Sequence, residues 1–208
     1  MKKTNNKGFS LVDLIIVIAI MAILAGAIAP ALIRYIDKSR RSNDVSSCKT
    51  IKTAIETALG NESVYELLTQ PSTGDFVYIY ITPGEKMGET TTTTGAQKYI
   101  TFKNACTDAK INGKANADVV KIAKDEIGTN IGEKSPKLKF KKNAAEKKNS
   151  AVPTEYVGVV SKNGTVYVLI STCTAGSLTV EADTDGGIKE PGKTKGFVIC
   201  PNVCDEYQ

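Results

Sequence analysis

A chain of 208 residues that is 41% hydrophobic and 24% charged is long enough for one ordinary domain and an appendage, and its composition is not that of a disordered protein. The net charge of +5 is modest and spread along the chain, so it leaves no electrostatic footprint for nucleic acid. Histidine and tryptophan are both absent, which removes the commonest general acid/base and the commonest neutral metal ligand and disfavours an enzyme.

The apolar residues are concentrated near the N-terminus. Leu14 to Ile33 carries no charge over 20 residues, which in a helix at ~1.5 Å per residue spans ~30 Å, the thickness of a bilayer core. The pattern predicts a membrane span. Lys2, Lys3 and Lys7 precede it, but Arg34, Lys38, Arg40 and Arg41 follow it as closely, so charge alone does not orient it. A secretory signal peptide is the competing reading, with Ala25-Gly26-Ala27 or Ala27-Ile28-Ala29 as its cleavage site. Against it, the apolar stretch exceeds the usual ~7–15 residues, Asp13 interrupts its start, and Pro30 follows the second site.

Orientation comes from the junction Lys7-Gly8-Phe9-Ser10-Leu11-Val12-Asp13-Leu14-Ile15. A short basic leader ending in Gly, then Phe, Ser, Leu, a branched apolar residue, an acid and a long apolar helix resembles the type IV pilins, with a type IVa-like class III leader. The resemblance covers about the first 60 residues. It implies that a prepilin peptidase cuts between Gly8 and Phe9 on the cytoplasmic side and N-methylates Phe9, so that the leader is inside and the head outside.

A carboxylate in a span costs about 2.5–3.5 kcal/mol near the helix centre, so Asp13 needs an offsetting charge. Cleavage supplies one in the Phe9 α-amino cation, and the resemblance implies that the pair forms between neighbouring subunits. The family's usual residue is Glu; Asp13 reaches one methylene less far. Pro30 removes the amide that would bond the Gly26 carbonyl, and Gly26 itself has weak helix preference, so the helix carries a built-in soft point there. Pilins carry a Pro at the matching place, which makes Asp13, Gly26 and Pro30 the expected assembly residues.

Beyond Pro30, Leu32 and Ile36, then Cys48, Ile51, Ile55 and Leu59, recur at spacings of three and four, with Lys49, Lys52 and Glu56 on the other face. Gly60-Asn61 is the stop signal. Phe9 to Leu59 makes a helix of about 51 residues, or ~75 Å. No single globular domain buries that length.

The remainder reads as a mostly β head. A short helix is predicted over Ser63–Thr69 and a strand over Phe76–Ile81, closed by Pro83-Gly84. Glu85–Gly95, with Thr90–Thr94 in a row, reads as a polar loop and Lys98–Phe102 as a strand. Asp118–Ile127 reads as a helix capped by Asn116 and Gly128. Tyr156–Val160 and Thr165–Ile170 flank Asn163-Gly164 as a hairpin, and Phe197–Cys200 supplies a last strand. The expected fold class is α+β, a long N-terminal helix packed on an antiparallel sheet head, as in the pilin fold. Seven lysines between Lys134 and Lys148 read as a solvated loop, the alternative being a surface for an anionic partner or a neighbouring subunit.

Two motif fragments carry little chemistry. Gly187-Ile188-Lys189-Glu190-Pro191-Gly192-Lys193-Thr194 has the letters of a phosphate-binding loop without a strand before it or a helix after it. Asp183 and Asp185 before Gly186 lack the other ligands of a calcium loop and read as a surface turn. With the head outside, Cys106, Cys173, Cys200 and Cys204 are disulfide candidates in any of three pairings, leaving Cys48 as a small buried residue of the helix. Zinc is the alternative for four cysteines, weakened by the absence of His.

The resemblance then implies a structural subunit with no catalytic residue, cofactor or metal. Residues 1–8 are the leader, 9–33 the membrane and filament-core helix, 34–60 its amphipathic extension and 61–208 the head. Implied partners are further copies of the chain in a helical filament, the prepilin peptidase, the pilus assembly platform and lipid before assembly, with no nucleic acid. The chain is expected to cross the cell membrane once and then to join an extracellular pilus. A minor pilin or type II secretion pseudopilin shares every N-terminal feature, and a signal-anchored surface protein is a more distant alternative.

Overall fold

In the computed structural model the described residues are 11–85, 99–140, 152–174, 176–185, 187–189, 191 and 195–207. The leader, the Thr90–Thr94 run and the lysines from Lys141 to Lys148 lie outside them. The first helix, α1, runs from Leu11 to Ala58 and contains Pro30. The described chain divides into two compact units, one ending at Ser39 and one from Arg40 to Gln208.

In the first unit every residue from Leu11 to Ile36 is exposed, including Leu11, Ile15, Ile18, Ile23 and Ile28. The helix is long and apolar enough to cross a membrane. A continuous apolar surface of this extent is not stable against water and calls for lipid or neighbouring helices.

The second unit begins inside α1. A turn at Leu59-Gly60 leads to α2 (Glu62–Thr69), and Asn61 is its N-cap, accepting the Ser63 N–H at 3.1 Å. Then come β1 (Phe76–Ile81), β2 (Ile100–Lys103), the short pair β3 (Lys110–Ile111) and β4 (Lys114–Ala115), α3 (Asn116–Ile131), β5 (Glu155–Ser161), β6 (Val166–Ser171) and β7 (Gly196–Cys200). The sheet is antiparallel in the order β2-β1-β5-β6-β7. This is the α+β arrangement expected.

Three details differ from expectation. The caps of α3 are not Asn116 and Gly128: Ala115 precedes the helix without a side-chain cap, while the Asn116 amide donates to the Cys106 and Asp108 carbonyls at 2.9 and 3.0 Å. Gly128 is buried within α3, which ends at Gly132 with φ 113°. The β3–β4 turn at Asn112-Gly113 carries positive φ at both residues, an Asn-Gly hairpin too short to show a flanking apolar pattern. Finally, the first half of the lysine run is not a solvated loop. Ser135, Leu138 and Phe140 are buried, because the segment lies against α1 while its lysines project outward.

β1 alternates between two cores. Val77, Ile79 and Ile81 join Cys48, Ile51 and Ile55 of α1 with residues of α2 and α3 on one face, whereas Phe76, Tyr78 and Tyr80 join Val157, Val159, Leu169 and Leu178 on the other. The second face is covered by the segment after β6. Tyr80 donates its hydroxyl to the Leu178 carbonyl at 2.8 Å, and Tyr78 bonds the Val180 backbone at 3.2 Å.

Gly158 is where helix and sheet come closest. A Cβ there would stand 2.5 Å from Ile55 Cδ1 and 3.4 Å from Ile79 Cβ, both fully buried residues. Gly158→Val is expected to destabilise the head by about 1–3 kcal/mol through overpacking. Urea unfolding checks this. Pairing Gly158→Ala with Ile55→Val, which deletes the clashing methyl, should cost less than the sum of the two single changes.

Candidate functional site

The expected assembly residues all lie on the exposed stretch of α1. Asp13 lies near the start of the described part of α1. A Cβ on Gly26 would meet nothing within 4 Å, so the glycine leaves a notch in the apolar surface. Pro30 stands within the helix, which continues through it. Gly8 and Phe9 lie outside the described residues.

The lower part of α1 is tied into the head by a charge on the apolar stripe. Asp44, fully buried, accepts the Lys139 and Phe140 amides at 2.9 Å each, one on each carboxylate oxygen. Burial pushes its carboxyl above the usual range, and those two amides pull the other way. Arg41 lies over the Phe140 ring at 4.5 Å; Tyr207 meets Phe140 edge-on at 6.0 Å and Phe197 at 5.5 Å. A seam therefore joins α1, residues 135–140 and the chain's end. The signal was present in the sequence: Asp44, Cys48, Ile51 and Ile55 are spaced by four, three and four, a carboxylate in line with the core face.

All five cysteines are thiols in this structure. Cys48, Cys106 and Cys200 are buried in the α1-side core, and Cys204 packs against it. Cys173 packs against the core on the other face of the sheet. Cys106 follows β2 and donates its amide to the Leu67 carbonyl at 3.0 Å, whereas Cys200 ends β7 at the other edge of the sheet. Cys173 follows β6 beside the start of β7, its thiol on the Lys195 carbonyl at 3.3 Å, about five residues or ~16 Å along the strand from Cys200. A disulfide needs Cα atoms within ~7 Å. Of the four candidates, Cys173 stands too far along β7 from Cys200 for such a bond.

Of the other motif fragments, the described residues around Asp183 form a turn. Asp183 accepts the Asp185 and Gly187 amides at 3.0 and 2.7 Å, and Ala182 bridges Ile188. The run ending at Thr194 leads into strand β7, not a helix. Among the described residues no three Cys, Asp or Glu side chains form a metal-holding group. A groove of about 360 Å³ between Ser46, Lys49, Thr53 and Thr57 of α1 and Asn130 of α3 is lined by no carboxylate.

The chain thus combines an exposed apolar N-terminal helical stretch, a basic Gly-Phe junction in its sequence and an antiparallel α+β unit. A family model described as the prokaryotic N-terminal methylation motif matches residues 3–29. The chain is 44% identical over 57 residues to a type IV major fimbrial protein FimA of Dichelobacter nodosus, covering 27% of this chain and 36% of that protein. It is 47% identical over 53 residues to fimbrial protein Q of Moraxella bovis, covering 26% and 34% respectively. The chain thus spans about a third of the length of the curated relatives it matches. No solved structure matches it. Over this N-terminal part the chain is similar to type IV fimbrial proteins, which supports a pilin-type methylated N-terminus.

Proposed function

We propose that the chain is cleaved between Gly8 and Phe9, N-methylated on Phe9 and polymerised into an extracellular pilus. The observation that carries this reading is the uncharged, fully exposed stretch of α1 from Leu14 to Ile33, overlapped by the methylation motif at residues 3–29. Lipid covers that surface in the single membrane-spanning precursor, with the N-terminus in the cytoplasm and the head outside. Neighbouring α1 helices cover it in the filament. Asp13 then pairs with the Phe9 α-amino group of an adjacent subunit, and the Gly26–Pro30 stretch is where the helix yields on packing. Its partners are further copies of itself, a prepilin peptidase and a membrane assembly platform. The role is structural, without catalysis.

The test is shearing of cells followed by mass measurement of the released chain. A filament fraction rich in this protein, beginning at N-methylated Phe9, is the expected result. Its absence from sheared material while abundant in membranes would point to a pseudopilin.

A further inference from the structure

We propose that Asp44 is a positioning residue for assembly: it straps residues 137–140 across α1, so that the head holds the helix from Arg41 onward and not only from Cys48. The proposal rests on the reading that the chain assembles through α1. All the groups concerned lie in the unit that begins at Arg40.

Apolar burial by itself does not reach this far along the helix. In chain order the buried residues of α1 are Asp44, Cys48, Ile51, Ala54, Ile55 and Ala58, so the first of them is a carboxylate. A buried carboxylate without partners is costly. The strap supplies the partners: Lys139 donates its amide to Asp44 Oδ1 and Phe140 its amide to Oδ2, each at 2.9 Å. On the same stretch of α1, Arg41 lies over the Phe140 ring at 4.5 Å, and Asn43 Oδ1 accepts the Lys139 ammonium at 3.3 Å. Three residues of α1 therefore grip two consecutive residues of the strap. From Arg41 to Cys48 is seven positions, or ~10 Å of helix added to the packed length.

The strap is fastened separately to the rest of the head. Ser135 donates its amide to the Glu85 carbonyl and accepts the Glu85 amide on Oγ, both at 2.9 Å. Leu138 is buried, and Tyr207 meets Phe140 edge-on at 6.0 Å. The grip on α1 instead converges on one side chain. Only a carboxylate offers an acceptor to both amides: Asn keeps one and turns an NH₂ donor toward the other, while Ala leaves both amides buried without that partner. A subunit that packs by its helix and carries a head must present the two in one orientation. Every turn of α1 that frays from the head adds freedom that assembly has to remove.

The experiment is hydrogen exchange read by mass spectrometry on the full chain in detergent, paired with the share of processed chain in sheared filaments. In the wild type, the amides of residues 41–47 and those of Lys139 and Phe140 should open together, ahead of the β5 and β6 amides. In Asp44→Ala the protection of both groups should fall at least about tenfold while β5 and β6 keep theirs, and in Asp44→Asn it should fall by less. The filament share should drop in the same order, with cleavage after Gly8 unchanged. Ile55→Val is the control for lost stability alone: it removes a core methyl from the same helix and should leave residues 41–47 protected and assembly near wild type. Independent opening of the two groups in the wild type, unchanged protection in Asp44→Ala, or an assembly loss in Ile55→Val equal to that in Asp44→Ala overturns the proposal. The wild-type pattern needs no substitution, so misfolding of a variant does not obscure it. Absence of the wild-type chain from sheared filaments would sink the pilin reading and the assembly role with it, whereas the exchange pattern decides the strap on its own.

Discussion

Replacing Gly8 with Arg leaves an uncut precursor in the membrane, with processed chain reduced roughly a hundredfold. A peptidase that accepts the residue before the scissile bond without a side chain has no room for a guanidinium. The change also adds a cation next to Lys7 at the point where the chain must enter the lipid. Nothing in the head is touched, so folding and insertion should be normal. The measurement is the intact mass of the membrane-extracted chain, read for the leader and for the methyl group. Ordinary processing of the variant, or a wild-type chain starting after Ala27 or Ala29, would contradict cleavage at Gly8.

Asp13→Ala should spare cleavage and insertion yet lower the share of processed chain found in sheared filaments at least about tenfold, the equivalent of ~1.4 kcal/mol. Two unit charges at 4 Å in an effective dielectric of ~20 attract by ~4 kcal/mol, comparable with the cost of placing the carboxylate in a span. A monomer can tolerate an acid at the edge of its span, and Asp13 directly precedes the uncharged run that starts at Leu14. A subunit entering a packed apolar core leaves the Phe9 cation of its neighbour unmatched if the acid is missing. Asp13→Glu keeps the charge, extends it by one methylene, and should assemble at least as well as wild type. An Asp13→Ala ratio equal to wild type would show that the pair does not drive assembly.

Elements whose formation is local were legible in the sequence. An uncharged run from Leu14 to Ile33 specifies its solvent by composition, and a spacing of three and four from Cys48 to Ile55 specifies a helix face. Asn163-Gly164 between two β-branched runs specifies a hairpin, because few dipeptides adopt the tight turn as readily, and β5 and β6 formed on either side of it. The methylation motif is likewise a contiguous string, and it was the strongest statement the sequence made about function. What required the tertiary structure involves groups far apart in the chain. Asp44 is a core carboxylate because the Lys139 and Phe140 amides reach it across a separation of 95 and 96 residues. Gly158 lies in a strand pattern like any other, yet Ile55 of α1 makes it a place where a Cβ does not fit. Four cysteines near or in the β-rich head looked interchangeable, since spacing carries no information about which strand edge each occupies. One bulge turned Cys200 into the α1-side core while Cys173 packs against the other, because a single extra residue reverses the face a side chain takes, and nothing in the local sequence records it.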